Sequence, residues 1–423
     1  MFKSSNNKYV KKKCCSPAHS KMTCCVSCNA KVIIPYLNNN QHADCPRCNH
    51  TLASSERWEL HRCAMIAYSI LILLPFALNY PLLSINLLGV EINASVWQGI
   101  WKMATQGYSY TAFLIFLCAV FMPIAFSILV ILLHFSQILN IKPGNLLLSL
   151  SYIKPWVMFD VYLVALAVTM FKIREYASLQ LDIYLIAFIF TALLTTLLFI
   201  KINVDALWED FYPEHTSFFP ISSKVQLQVC TACQYSFSEP IQDNKGYIYC
   251  PRCYSRVTSS KISLQRTWAT LITAMFMLIP ANILPMSIVY FNGVATADTL
   301  MSGVLAFIDA KSYAIAFIVF MASIFIPICK IAVLLYLLCC IHFKWTHSIK
   351  RQMKLLHFIH FVGRWSMLDL FVLALMMSLV TRGQLIDFSV GPAAFYFGAA
   401  VFLSMISTSL FDSRLLWKIY DKH

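Results

Sequence analysis

The sequence predicts a polytopic α-helical membrane protein made by tandem duplication. Each copy joins a small four-cysteine domain of zinc-ribbon or rubredoxin-like type to a four-helix transmembrane bundle. Three observations predict this. Hydrophobic residues fill 59% of the 423 positions and charged residues only 12%, with a mean hydropathy of +0.66, far from the balance of a soluble globular domain. Eight stretches are long and apolar enough to form helical spans. Four cysteines, Cys25, Cys28, Cys45 and Cys48, recur 205 residues later at identical spacing as Cys230, Cys233, Cys250 and Cys253.

Both quartets read C-x2-C, sixteen residues, then C-x2-C, and the second pair is the same word each time: Cys45-Pro46-Arg47-Cys48 and Cys250-Pro251-Arg252-Cys253. Four thiolates so spaced suit a tetrahedral zinc ion, two zinc ions per chain in all. About thirty mostly polar residues cannot bury enough apolar surface to fold, so a metal must supply the stability. Strands at 31–34 and 247–249 are expected to bring the ligand turns together. Iron in a rubredoxin-like site fits the same four sulfurs. Disulfides fit less well, because the segments sit among lysines and arginines on the side expected to keep thiols reduced. Cys24 is an alternative to Cys25 as ligand, and the 205-residue offset favours Cys25. Cys14 and Cys15 break the repeat. Cys63, Cys118, Cys329, Cys339 and Cys340 lie in or beside apolar segments and read as packing residues.

The first copy places spans near residues 63–85, 110–135, 156–171 and 183–200, the second near 268–290, 313–341, 365–381 and 392–410. The domain plan is therefore an N-terminal tail and first metal domain (1–62), a first bundle (63–201), a second metal domain (202–267), a second bundle (268–411) and a tail (412–423). Segments on one proposed side carry 27 of the 33 lysines and arginines, which predicts that both termini and both metal domains face the cytoplasm. The net charge of +14 then reflects topology and contact with anionic headgroups; nucleic acid is not an expected partner. The first apolar run starts only near Cys63, so no cleavable signal peptide is expected.

The repeat continues through the spans. Leu73-Leu74-Pro75 answers Leu278-Ile279-Pro280, each followed by a second proline, Pro81 or Pro285. Met122-Pro123-Ile124 answers Ile326-Pro327-Ile328, and Trp156-x3-Asp160 answers Trp365-x3-Asp369. Asp205-Ala-Leu-Trp208 resembles Asp412-Ser-Arg-Leu-Leu-Trp417 with a two-residue insertion. With an even number of spans per copy, the repeats share one orientation. Residues 84–107, and their counterpart 289–311, alternate and then turn amphipathic, which predicts a short strand followed by an interfacial helix on the outer face, where a partner would dock.

These features resemble the paraquat-inducible protein A (PqiA) family, also called LetA-like or YebS-like, of Gram-negative inner membranes. The resemblance rests on the duplicated four-cysteine domains, the proline-containing first span of each half and the segment Gly363-Arg-Trp-Ser-Met-Leu-Asp-Leu-Phe-Val-Leu-Ala-Leu375, and the length is closer to the Let type. It implies a multi-pass inner-membrane protein with a periplasmic MCE-domain partner of the LetB or PqiB kind, whose rings stack into a hydrophobic tunnel, and a role in moving phospholipids between membranes.

Ionisable groups in hydrocarbon cost at least ~2.5–3.5 kcal/mol and mark function. Lys330 is the foremost candidate, mid-span and three residues after Pro327, where the first copy has Phe126. Ser323, seven residues earlier, shares its helical face, Asp369 is the natural counter-ion, and Ser404, Ser407 and Thr408 extend the polar stripe. A Lys330–Asp369 pair would make a proton-responsive switch. The bland alternative has Asp160 and Asp369 capping backbone or pairing with a loop arginine near the cytoplasmic end of a span, and the hydroxyls bonding their own preceding turn. His134, His342, His347, His357 and His360 read as interfacial. No phosphate-binding glycine loop or catalytic triad stands out, so the expectation is not an enzyme. A passive membrane anchor or assembly factor for the partner is the alternative function.

Overall fold

The computed structural model describes residues 21–34, 41–54, 58–87, 90–174, 178–215, 228–238, 240–244, 246–257, 260–291, 294–309, 311–344, 349–379 and 386–420. Cys14, Cys15 and His347 lie outside these residues.

The first metal domain is two hairpins, β1 (Lys21–Cys24) with β2 (Lys31–Ile34) and β3 (His42–Asp44) with β4 (Thr51–Ser54), each turning at a C-x2-C pair. The strand expected at 31–34 is present at those bounds. Helix α1 (Leu60–Asn79) opens the first bundle and carries Pro75. It stops short of the expected 85 because Pro81 lacks an amide hydrogen and restricts the residue before it; Leu83–Leu87 is instead strand β5, paired with β6 (Val90–Ala94).

Next come α2 (Val96–Thr105), α3 (Ser109–Phe116), a π-helical turn at Leu117–Phe121 and α4 (Met122–Ile138). Helix α5 (Gly144–Ile153) leads through a 3-10 turn at Lys154–Trp156 into α6 (Phe159–Arg174). Strand β7 (Ser178–Leu181) completes a sheet of order β6-β5-β7, and α7 (Tyr184–Lys201) and α8 (Val204–Phe211) close the copy.

The second copy repeats this order. Its metal domain pairs β8 (Gln228–Val229) with β9 (Ser236–Phe237) and β10 (Ile241–Gln242) with β11 (Ile248–Tyr249). Helix α9 (Ser260–Ile283) contains Pro280 and ends before Pro285. Strands β12 (Ser287–Phe291) and β13 (Val294–Asp298) precede α10 (Leu300–Asp309), α11 (Tyr313–Phe320), a π-helical turn at Met321–Phe325 and α12 (Ile326–His342). Helix α13 (Ile349–Val362), a 3-10 turn at Gly363–Met367 and α14 (Leu368–Leu379) precede β14 (Ile386–Val390), α15 (Ala393–Leu410) and α16 (Arg414–Tyr420).

Among the described residues eight helical segments are long and apolar enough to cross a membrane. Ile72, Phe276 and Phe317 turn outward, 67%, 63% and 65% exposed, as side chains facing lipid do. Three expectations need correction. The third and seventh spans do not start at Trp156 and Trp365: each begins earlier, at Gly144 and Ile349, so Asp160 and Asp369 follow a mid-segment break rather than a terminus. The segments expected on the outer face are hairpins plus helix, not single strands, and gain a third strand from β7 and β14. Helix α2 is not simply interfacial, because Val96, Ile100 and Met103 are buried.

The halves share one core. Helix α14 packs on α2 and α6 of the first copy, and Tyr162 meets Phe371 with ring centroids 5.0 Å apart. A methyl group on Gly99 would collide with the Ala374 carbonyl oxygen, so glycine sets how closely α2 approaches. Ser378 Oγ donates to the Ser95 carbonyl at 2.9 Å across the same contact. Small residues and interhelical hydrogen bonds supply the packing that lipid cannot drive.

Candidate metal centres and an adjoining cavity

Each C-x2-C pair forms a tight knuckle. The amide of the first cysteine donates across it, Cys25 to Ala30 O and Cys45 to His50 O at 2.8 Å, Cys230 to Tyr235 O at 2.9 Å and Cys250 to Ser255 O at 3.1 Å. The residue after the second cysteine takes a left-handed conformation every time: Asn29, Asn49, Gln234 and Tyr254, with φ from 54° to 58°. That bend turns both thiols of a knuckle to one side.

The knuckles face each other. Sγ atoms of Cys25 and Cys48 lie 3.5 Å apart and those of Cys28 and Cys45 3.6 Å apart; in the second domain Cys230 and Cys253 are 3.7 Å apart and Cys233 and Cys250 3.6 Å. All four sulfurs of a site fall within 4.8 Å of one another. A tetrahedron with metal–sulfur bonds of ~2.3 Å has edges of about 3.8 Å, so the donor sets fit one metal each. Hydrogen bonding from the Cys28 thiol holds Cys25 below the usual thiol range, while burial pushes Cys48 up. Cys25, not Cys24, completes the first quartet. The Cys24 amide instead accepts no metal role and donates to Ser236 Oγ of the second domain at 3.2 Å.

How the domains dock was invisible in the sequence. The first metal domain packs beneath the second bundle, where Cys25, Cys28 and Cys45 share a buried cluster with Leu337, Met353 and Trp417. The second domain packs against the end of the first copy, with Cys230, Cys250 and Phe237 in one cluster with Leu207 and Trp208. The repeated words meet crosswise: Arg47 stacks over Trp417 at 4.4 Å and Arg252 over Trp208 at 5.0 Å. Burial pushes the Asp205 carboxyl up, with Arg252 and Lys154 opposing. The two-residue insertion before Trp417 clamps both domains. Ser413 Oγ donates to Ser27 O, Arg414 Nε to Val26 O and Arg414 Nη1 to Val229 O, each at 3.0 Å. Sequence reasoning noted the paired arginines, tryptophans and insertion as repeat markers and missed their contact, although their recurrence was the signal.

The intramembrane candidates are placed as follows. Lys330 is 3% exposed and lines a cavity of about 810 Å³ that Thr408, Arg364 and Lys154 also line. Ser323 is buried in the π-helical turn, its hydroxyl without a hydrogen-bond partner among the described residues. Asp369 starts α14 and does not line this cavity; among the described residues no ion pair joins it to Lys330. Asp160 pairs with Arg364 at 3.6 Å, the loop-arginine arrangement. Thr408 donates to Ser404 O and Ser404 to Val401 O, both at 2.7 Å, so these hydroxyls bond their own helix. Ser407 donates to Thr267 O at 3.3 Å, tying α15 to α9.

Fold and sites define a class: a duplicated multi-pass membrane protein whose two bundles share one core and carry a pair of four-cysteine domains able to hold a metal ion. The model of the paraquat-inducible protein A family matches residues 60–212 and 264–421, and the chain belongs to that family. It is 63% identical over 406 residues, 95% of this chain and 97% of the relative, to a "probable intermembrane transport protein" of Haemophilus influenzae. It is 40% identical over 398 residues, 94% of this chain and 91% of the relative, to "lipophilic envelope-spanning tunnel protein A" of Escherichia coli K12. Identity to the "intermembrane transport protein PqiA" of the same organism is 29% over 422 residues, 95% and 97% of the two chains. No solved structure matches the chain.

Proposed function

We propose that this chain is the inner-membrane component of an MCE-type intermembrane lipid transport system, loading or extracting phospholipid for a periplasmic tunnel-forming partner. The observation that carries the reading is Lys330, an ammonium buried mid-bundle at the wall of a large cavity, in a chain with two relatives named for intermembrane transport and one named for an envelope-spanning tunnel. The outer sheets, β6-β5-β7 and β13-β12-β14, are the surface offered to the MCE-domain partner. Zinc fills both thiolate sites and acts structurally, holding cytoplasmic domains that brace the bundles from below.

Lys330 and Asp369 are the coupling residues. Loss and gain of a proton at this pair shifts the 3-10 break between α13 and α14, on which both residues bear; their separation here belongs to one state of that cycle. Ser323, Ser404 and Thr408 line the polar path. Lys330→Ala and Asp369→Ala are expected to abolish lipid-dependent envelope integrity, scored as detergent sensitivity, while membrane insertion and metal content stay normal. Wild-type integrity in both variants would leave only a passive anchor.

A further inference from the structure

The cavity beside the second metal domain holds more positive charge than its own carboxylates balance. At its deep wall the Lys330 ammonium lies against Gly363, where an added methyl group would sit 3.2 Å from Nζ and 3.4 Å from Cε. Among the described residues no ion pair reaches that ammonium. A buried charge of this kind costs several kcal/mol unless a counter-charge meets it.

Two further cations line the same space. Lys154 Nζ donates to the Ile202 carbonyl at 2.9 Å and lies 5.0 Å from the Phe199 ring centroid. The Arg364 guanidinium lies 4.8 Å from the same ring and pairs with Asp160 on its other side. Asp205 and His360 also line the cavity. Lys154, Lys330 and Arg364 thus face one lining carboxylate. The remaining wall is largely apolar, with Ile200, Ile359 and Met405, and the knuckle residues Thr231 to Gln234 close one side. About 810 Å³ falls within the range of cavities that hold a small organic ligand.

We propose that this cavity binds the phosphate ester of an amphiphile, with Lys330 as the deep anchor for its oxygens, Lys154 and Arg364 completing the anion site, and the chain laid along Ile359 and Met405. Planar guanidinium and mobile ammonium together are the donors phosphate oxygens favour. The inference rests on the reading that the chain handles lipid, and it names the headgroup chemistry and the wall that receives it. Gly363 is a positioning residue, keeping the room Lys330 occupies.

The test uses the purified full chain in detergent with two metal ions bound. Dihexanoyl phosphatidic acid, dihexanoyl glycerol and inorganic phosphate are titrated by calorimetry. The acid is expected to bind at least about tenfold more tightly than either of the others, a difference of ~1.4 kcal/mol. Lys330→Met, Gly363→Ala and Lys154→Gln are each expected to weaken it, Lys330→Met by about tenfold or more; Lys154→Gln serves if the deeper variants lose metal. Equal binding of the acid and the uncharged diglyceride, or undiminished binding by folded variants, overturns the proposal. Inorganic phosphate binding as tightly as the acid overturns the amphiphile and assigns the site to free phosphate. Undiminished binding alongside lost envelope integrity in Lys330→Ala sinks this inference and spares the transport reading; lost binding with normal integrity does the reverse.

Discussion

The two bundles carry the same backbone devices and differ in what they bury behind them. Each has a π-helical turn, Leu117–Phe121 or Met321–Phe325, immediately before a proline at the second position of the next helix, Pro123 or Pro327. Three residues on, the first copy places Phe126, fully buried in the common core, and the second places Lys330. Inserted residues of this kind re-aim side chains and mark functional places in helices. The comparison teaches that duplication kept the scaffold twice and the charge once. A second asymmetry lies below the bundles. Helix α8 meets the second metal domain through Trp208 and Leu207, whereas α16 and the residue before it add Arg414 and Ser413, whose bonds hold the two domains to each other.

The crosswise docking is the part of this comparison most open to attack, and the metal sites give the largest effect. Cys28→Ser is expected to cost one of two metal ions, and with it much of the ~10–16 kcal/mol that a structural zinc contributes. Hydrogen exchange should then rise at residues 349–362 of the second bundle, which the first domain covers, and stay unchanged at 144–153; the mirror variant Cys233→Ser should do the opposite. The reverse pattern would mean that each domain braces its own copy.

Phe126→Lys comes next. Placed in the filled core of the first copy, the ammonium should cost at least ~2.5–3.5 kcal/mol and lower the yield of inserted protein, measured by membrane fractionation. A variant that inserts normally would show that the two bundles tolerate charge equally.

Arg414→Gln removes charged hydrogen bonds to carbonyls of both domains, worth about 1.5–3 kcal/mol together with their partners. Crosslinking between cysteines introduced at Thr23 and Ser236, 3.4 Å apart through their hydroxyls, should fall several-fold with both metals retained. The smallest effect belongs to the stacked pairs. Trp417→Leu should lower the thermal midpoint of the first metal domain and Trp208→Leu that of the second, each by the ~0.5–2 kcal/mol of a cation–π contact plus lost packing, read as loss of metal to a chelator on heating.

Much of this fold was legible because its signals are local. The ligand knuckles need two cysteines and a bend, all within five residues, so Cys45-Pro46-Arg47-Cys48 and its copy announce themselves. Hydropathy marks spans because each must satisfy its backbone within its own helix. The errors arose where a segment's fate depends on something beyond it. Residues 83–87 and 287–291 are apolar enough to extend a span, and strands β7 and β14, about a hundred residues away, recruit them into sheets. Helices α5 and α13 looked like loops because prolines and charges near their ends masked the apolar face. Lys330 was legible as a charge in an apolar run, yet its neighbours were not: Gly363 and Arg364 reach it through the bend after α13, and Asp369, read as its partner, lies beyond that bend.

The sequence by itself determined the membrane class, the duplication, the ligand quartets and a lysine in the middle of an apolar run, Lys330, because composition and short-range spacing are properties a chain carries unfolded. Only the tertiary structure decided that each metal domain docks on the other copy, that Arg47 finds Trp417 and Arg252 finds Trp208, and that the buried lysine opens onto a cavity. Arg47 and Trp417 stand 370 positions apart and Arg252 and Trp208 only 44, so spacing does not fix the pairing, which depends on how two repeated surfaces choose between like partners. That choice rests on small differences in packing, such as a glycine at 99 or an inserted arginine at 414, whose weight appears only when the surfaces meet.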